Sequence, residues 1–485
     1  MPFSKPHYFY YALSFLFISA LALLFSITFP FYQGPDEQIH YATLQHHSEP
    51  KEKTWDVTQD THTVLDGSNI STFHLSEEIL RSTKMNQFDE IKWQGENTAS
   101  FVPNSFFGND EIILNQSNFK RYIDIYPANT STNTSYYYWI TSVLERQFSD
   151  IDIIDRFFLM RLFSLFLLVG TFITTFIISR KIFVSSLEQT LFTLLVIFQP
   201  MLLATGTIVN IDIALIFGTS LFFLGALSIL QKSSYWNHLL IFAGLLIAFL
   251  GKAPGVAFAP IAILLYLYLI QRKYHFEAKN IVRFLFLALS STTLLFCLLI
   301  RQGFFISFLN LGVPSKFSSP LASLATYLDK TFGVDAFLRT HASYWGNFGW
   351  LDTKMHTSLL HSIAFIELVA WIGILLFIFS QKTKNYLPKK AIIILSLGMI
   401  FFLQLAIRFY DWRVFDTTGK IVIGTPGRYF LPTLIPHLII LVTGLGFLIT
   451  KNKTQFTTLL KALALSMILL CLYAVFDVII PRYYL

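Results

Sequence analysis

Two carboxylates and an imidazole stand a few residues beyond the first apolar run, in "GPDEQIHY": Asp36, Glu37 and His40. A carboxylate so placed can act as a general base. With His40 it can also help hold a divalent cation, so Asp36, Glu37 and His40 are candidate metal ligands. An acidic helix N-terminus at a membrane stop would use the same residue types, because acids suit that end of the helix dipole. On a helix the i, i+4 spacing would put Asp36 and His40 on one face. A second set is Asn210 and Asp212 in "QPMLLATGTIVNIDIAL", polar residues between two apolar runs. An ionisable residue at such depth is a functional-site candidate, and a short polar turn is the plainer use. Trp350 and Asp352 sit in "FGWLDTKM", where the indole could stack on a sugar or anchor the loop at the interface. Arg428 and Tyr429 in "GTPGRYFLP", Lys252 and Arg161 complete the inventory. A guanidinium at an interface suits a phosphate oxyanion, although a single cation there could equally snorkel to lipid headgroups.

These groups need elements to position them. Hydrophobic residues make up 54% of the chain and charged residues 13%, about half the charge of a soluble domain. The expected fold is an all-α polytopic membrane protein. Runs long enough to cross a bilayer fall at about 8–30, 157–179, 187–206, 213–231, 237–250, 254–271, 281–301, 356–379, 391–409, 428–449 and 456–480. That predicts about eleven transmembrane helices. The first run is too long for a cleavable leader and has no small-residue cleavage site. Cys297 and Cys471 lie in apolar runs and imply neither a disulfide framework nor a zinc site.

Charge sets the orientation. Segments 180–186, 232–236, 272–283, 381–390 and 451–455 hold thirteen Lys/Arg and one acid, Glu277, so they are read as cytoplasmic. Segment 31–155 holds eight Lys/Arg against nineteen Asp/Glu and is read as outside. The net charge of +7 is therefore a topology signal and not a nucleic-acid footprint. The expected organisation is a first transmembrane helix (1–30) and a large extracytoplasmic loop with interfacial helices (31–155). Transmembrane helices two to seven (156–301), a second outer loop (302–355) and helices eight to eleven (356–485, with a short outer loop at 410–427) follow. Pro35 is well placed for a first helical position before 36–48. The aromatic, then amphipathic, stretch from Ser135 predicts an interfacial helix. On this topology Asp36, Arg161, Asp212, Lys252 and Arg428 all lie on the outer side, where they could converge on one cavity.

"GPDEQIHY", "RLFSLFLL", "QPMLLATGTIVNIDIAL", "GWLDT" and "GTPGRYFLP", in this order from Pro35 to about Pro436, resemble the bacterial membrane-protein family called domain of unknown function 2142. Where that family often reads Pro-Pro-x-Tyr-Tyr before the second span, this chain has Thr134-Ser135-Tyr136-Tyr137-Tyr138. The family is similar in layout to the GT-C glycosyltransferases, polytopic inverting enzymes that take sugar from a polyprenyl-phosphate carrier. The resemblance implies that Asp36 is the general base, with Glu37 positioning the acceptor or a cation. It implies that Arg428 binds the carrier phosphate with Arg161 or Lys252 assisting; His40, Asn210, Asp212, Trp350, Asp352 and Tyr429 are the further substrate-binding candidates from the motifs above. The implied partners are a polyprenyl-phosphate-linked sugar, a glycan or lipid acceptor and membrane lipids, at the outer face of a bacterial cytoplasmic membrane. A transporter or flippase of lipid-linked glycans is the alternative. The Lys252–Pro254 break favours it, and the lack of an internal repeat speaks against it.

Overall fold

The computed structural model describes residues 5–48, positions 79, 82, 91 and 92, and residues 135–232, 234–272, 315–381, 384–421 and 426–485. The described chain is almost entirely helical; its one sheet is a two-residue hairpin, β1 (Asn347–Phe348) against β2 (Thr353–Lys354). Among the described residues six helices are long and apolar enough to cross a membrane. They are α4 (Ile153–Ile182), α7 (Asp212–Gln231), α12 (Thr357–Phe379), α13 (Lys390–Thr418), the unit Gly427–Ile449 and the unit Lys453–Tyr484. The protein is thus a multi-pass, mainly α-helical membrane protein.

The expected single span at 187–206 is instead a pair, α5 (Ser186–Ile197) and α6 (Pro200–Gly206), bent by 65°; counted as one span it makes a seventh. The break has a local cause. Pro200 opens α6 and cannot donate to the preceding turn, while the Gln199 side chain caps the new helix at Leu202 N (2.6 Å). The Gln199 amide also donates to the Tyr344 carbonyl (2.7 Å), which fixes the corner to α11 (Val334–Trp345), the helix after α10 (Pro320–Phe332). Of the other segments read as spans, three are shorter apolar helices: Leu16–Thr28 within α1 (Lys5–Thr28), α8 (Tyr235–Gly251), and Ala253–Leu269. The last combines a 3-10 turn (Ala253–Phe258) with α9 (Ala259–Arg272). Segment 281–301 and most of the loop at 49–130 lie outside the described residues.

Polar groups brace the end of the bundle where the candidate residues gather. The expected interfacial helix is α3 (Tyr136–Gln147), and it packs against α2 (Glu37–Ser48). Tyr41 of α2 donates to Glu145 of α3 (3.2 Å), and Glu145 also pairs with the buried Arg156 of α4. Ser135 donates to the Gly251 carbonyl (2.6 Å), tying the start of α3 to the end of α8 and thus to Lys252. Thr219 of α7 donates to the Pro432 carbonyl (3.0 Å), holding α7 to the 3-10 turn Gly427–Thr433 that carries Arg428. Glycines let α7 and α8 touch backbone to backbone. A Cβ on Gly244 would lie 2.2 Å from Phe222 N, and one on Gly218 2.3 Å from Ala248 N. Such small-residue contacts are how helices associate where lipid gives no hydrophobic drive.

Candidate active site

The chain leaves α1 through a tight turn with two non-glycine residues in the left-handed region, Tyr32 (φ 64°) and Asp36 (φ 59°). Helix α2 begins only at Glu37, whose N–H donates to the Gly34 carbonyl (3.1 Å). The expected helix over 36–48 is present from Glu37, with Asp36 immediately before it, and the correction is to Pro35, which belongs to the turn and not to the first helical position. A left-handed residue costs roughly 1–3 kcal/mol when the surroundings impose it, although Asp tolerates the region better than most. The consequence is that two adjacent carboxylates reach different cations.

Glu37 is fully buried against Arg161, also fully buried. Its Oε1 accepts from Arg161 Nε (2.8 Å) and Val209 N (2.9 Å), and its Oε2 from Arg161 Nη2 (2.8 Å) and Gly34 N (3.2 Å). The three remaining guanidinium N–H groups go to the carbonyls of Ser26 (2.5 Å), Phe29 (2.9 Å) and Pro30 (3.2 Å). All five donors of Arg161 are spent. The geometry therefore departs from the expected roles of Glu37 as a catalytic group and Arg161 as a phosphate ligand. Together they staple the end of α1 to α4 and to the strand of chain before α7.

Asp36 pairs instead with Arg428, Oδ2 to Nη2 at 2.8 Å, and its side chain is 39% exposed against 7% for the arginine. Arg428 keeps donors in reserve: among the described residues its buried Nε has no hydrogen-bond partner. A second pair lies beside it. Lys252 Nζ donates to Asp212 Oδ1 at 2.5 Å, with the lysine 25% exposed and the aspartate 5%. Asn210 accepts from Asp212 N (2.7 Å), so its amide shapes the start of α7. The Tyr429 ring joins the pairs, 4.5 Å from Lys252 Nζ and 5.4 Å from Arg428 Cζ. His40 completes the group, with its Nδ1 2.5 Å from the Tyr138 hydroxyl. Burial pulls the His40 imidazole down to about 4; Asp36 and Asp212 oppose this, and Lys252 and Arg428 reinforce it. Burial likewise pushes the Tyr138 phenol well above its usual value, helped by Tyr137, Asp212 and Asp36.

Asp36, His40, Asp212, Lys252, Arg428 and Tyr429 thus share one electrostatic neighbourhood, with Asn210 supporting it. Trp350 and Asp352 belong to a neighbouring latch. The indole donates to the Tyr32 carbonyl (3.4 Å), and Lys92 covers its ring at 4.0 Å. Asp352 pairs with Arg482 (3.2 Å) near the C-terminus. A cation therefore already covers the Trp350 ring, for which sugar stacking and interface anchoring were both open. Asp36, Glu37 and His40 do not converge as a metal site, since each turns to a different partner. No group of three His, Cys, Asp or Glu placed to hold a metal occurs among the described residues.

Two features escaped the sequence. Tyr138 is the hydrogen-bond partner of His40, yet in the Tyr136–Tyr138 run it read only as an interface aromatic. Behind the Arg428 turn, Glu367 accepts from Trp345 (2.9 Å) and contacts His341 (2.9 Å) and His437 (3.2 Å). A lone acid inside an apolar run, as Glu367 is, was the available signal.

The family described as "Predicted membrane protein (DUF2142)" matches residues 17–436, and the chain belongs to it. No curated protein matches the chain. Among solved structures it is similar to the crystal structure of ArnT from Cupriavidus metallidurans in the apo state (14% identity, 64% of this chain and 66% of that chain, TM-score 0.28). The same protein bound to undecaprenyl phosphate gives 12% identity over the same shares, with a TM-score of 0.27. The chain spans about two thirds of that protein's length.

Proposed function

We propose that the protein is a GT-C-like, inverting glycosyltransferase that moves a sugar from a polyprenyl-phosphate carrier to an envelope glycan or lipid acceptor. On this reading it works at the outer face of a bacterial cytoplasmic membrane. The observation that carries the proposal is the contrast in spare capacity between the arginines. Arg161 has no donor left, whereas Arg428 and Lys252 each use one carboxylate at a partly open edge and retain donors for an anion.

Asp36 then takes the proton of the acceptor hydroxyl as its oxygen attacks the anomeric carbon. The bond from that carbon to the carrier phosphate oxygen breaks on the opposite face. Arg428 and Lys252 stabilise the charge developing on the leaving phosphate, the kind of preorganised electrostatic aid that dominates such transfers. In the structure Asp36 is bound to Arg428. A phosphate that takes over Arg428 releases the carboxylate, so donor arrival prepares the base.

The test is Asp36→Asn in a purified assay with a polyprenyl-phosphate sugar. Transfer should fall by about 10²–10⁴-fold, the usual contribution of a general base, with folding and insertion intact. Undiminished transfer would refute the base assignment. Movement of an intact lipid-linked glycan across vesicles, without transfer, would favour the transport alternative raised by the Lys252–Pro254 break.

A further inference from the structure

Tyr138 lies on α3 with its side chain buried, and its hydroxyl meets His40 Nδ1 at 2.5 Å. Among the described residues this is the only hydrogen bond that the phenol makes. A buried O–H left without an acceptor is costly, so the phenol donates and Nδ1 supplies the lone pair. An imidazole whose Nδ1 accepts carries its proton on Nε2 in the neutral state. The opposite tautomer would send Nδ1–H toward the phenol oxygen and strand the phenol's own proton.

The charged groups around the ring offset one another. Asp36 faces it from the turn, Asp212 from the start of α7, Lys252 from the junction between α8 and the 3-10 turn, and Arg428 from the turn before α14 (Leu434–Ile449). His47, one α-helical face along α2, stacks on the Tyr138 ring with centroids 6.3 Å apart. Two carboxylates against two cations leave little net field, and burial then decides for the neutral ring. His40 Nε2 has no hydrogen-bond partner among the described residues, and the residue is partly exposed at this cluster.

We propose that Tyr138 locks His40 in the Nε2–H tautomer, so that the imidazole serves the site as a neutral hydrogen-bond donor to a substrate oxygen and not as a proton acceptor. Only the identity of that oxygen, on a transferred sugar, its acceptor or the carrier phosphate, rests on the transferase reading. Tyr138 is then a positioning residue, acting through His40. A neutral donor adds no charge beside Arg428 and Lys252, and it leaves proton abstraction to Asp36.

The experiment uses the full chain, ¹⁵N-labelled at histidine and reconstituted in lipid nanodiscs. The His40 resonance is assigned by its loss in His40→Gln. The expected result is a neutral Nε2–H imidazole that does not titrate between about pH 5 and 8, the range in which an ordinary histidine changes charge. Tyr138→Phe should convert it to a tautomer mixture. A Nδ1–H or cationic ring in the wild type, or a tautomer unmoved by Tyr138→Phe, overturns the proposal. In the transfer assay His40→Gln, whose amide N–H falls near Nε2, should lose less than His40→Leu. The gap should be on the order of 10–100-fold, as for a hydrogen bond to a charged or developing charge. Equal losses also overturn it. Absence of any transfer by the wild type would instead refute the transferase reading, and the resonance would still decide the tautomer.

Discussion

Replacing Glu37 by alanine should cost the protein its fold before it costs any chemistry. The substitution leaves the Arg161 guanidinium buried with two donors unmatched, and removes the acceptor of Gly34 N and of Val209 N. Breaking a buried pair by removing one partner costs about 3–5 kcal/mol. Each orphaned buried amide adds about 1–3 kcal/mol. The total, roughly 5–11 kcal/mol, is comparable to the whole stability of an ordinary domain, about 5–15 kcal/mol. Glu37→Gln keeps an acceptor and loses the charge, so it should sit between wild type and Glu37→Ala. The double variant Glu37→Met/Arg161→Met should recover part of the loss, because no unpaired charge remains. The assay is the thermal midpoint and the monodisperse yield in mild detergent, with transfer measured per folded molecule. Transfer per folded molecule by Glu37→Gln should stay within about tenfold of wild type, since the carboxylate has no free oxygen to offer a substrate. A Glu37→Gln protein as stable as wild type but unable to transfer would show that the carboxylate does chemistry, and the staple argument would be wrong.

The cations of the open edge should behave differently. Arg428→Ala should weaken use of the phosphate-linked donor, read as a raised KM for donor with the acceptor KM unchanged; a purely acceptor-side defect contradicts the phosphate role. Lys252→Met strands Asp212, so it should lower stability as well as donor use. Adding Asp212→Asn should restore the melting temperature without restoring transfer, and recovery of both would make the pair merely structural. Gly427→Ala would place a Cβ 2.0 Å from the Thr340 carbonyl and 2.3 Å from Tyr344 N, so α11 or the turn must shift. A displacement near 1 Å of the adjacent Arg428 should cost on the order of 10²-fold in transfer, and wild-type rates in this variant would mean that Arg428 needs no such placement.

Much of the scaffold was readable because membrane physics is written in composition. Apolar runs mark the helices, and the aromatic stretch after Ser135 marks α3. The polar residues at span ends mark where Asp36, Asp212, Lys252 and Arg428 gather. What was hidden depends on contacts between distant segments. Pro200 and the Gln199 cap bend the chain locally, but the hydrogen bond that fixes the corner reaches Tyr344, 145 residues away in sequence. Trp350 and Asp352 have residue types suited to a sugar, yet Lys92 and Arg482 reach them first. His40 read as a candidate metal ligand or substrate-binding residue. Its partner Tyr138 is 98 residues away, and the proposed tautomer rests on that contact.

The sharpest case is the adjacent pair of acids. Residue type treats Asp36 and Glu37 alike, but the left-handed φ at Asp36 sends one carboxylate to a cation with spare donors and the other to a cation with none. Glycine would hold that backbone conformation more cheaply, so an aspartate there is stabilising only if its carboxylate is used. The use in view is the pair with Arg428 at the open edge. Asn also tolerates φ > 0 and keeps the side-chain shape, so Asp36→Asn removes the base and the charge while leaving the turn at ease. Asp36→Gly relaxes the turn and removes the same carboxylate. If the carboxylate is what matters, both variants should lose transfer to a similar degree although only the second relieves strain. A glycine variant that transfers as well as wild type would mean that the turn, and not the acid, is what the site requires.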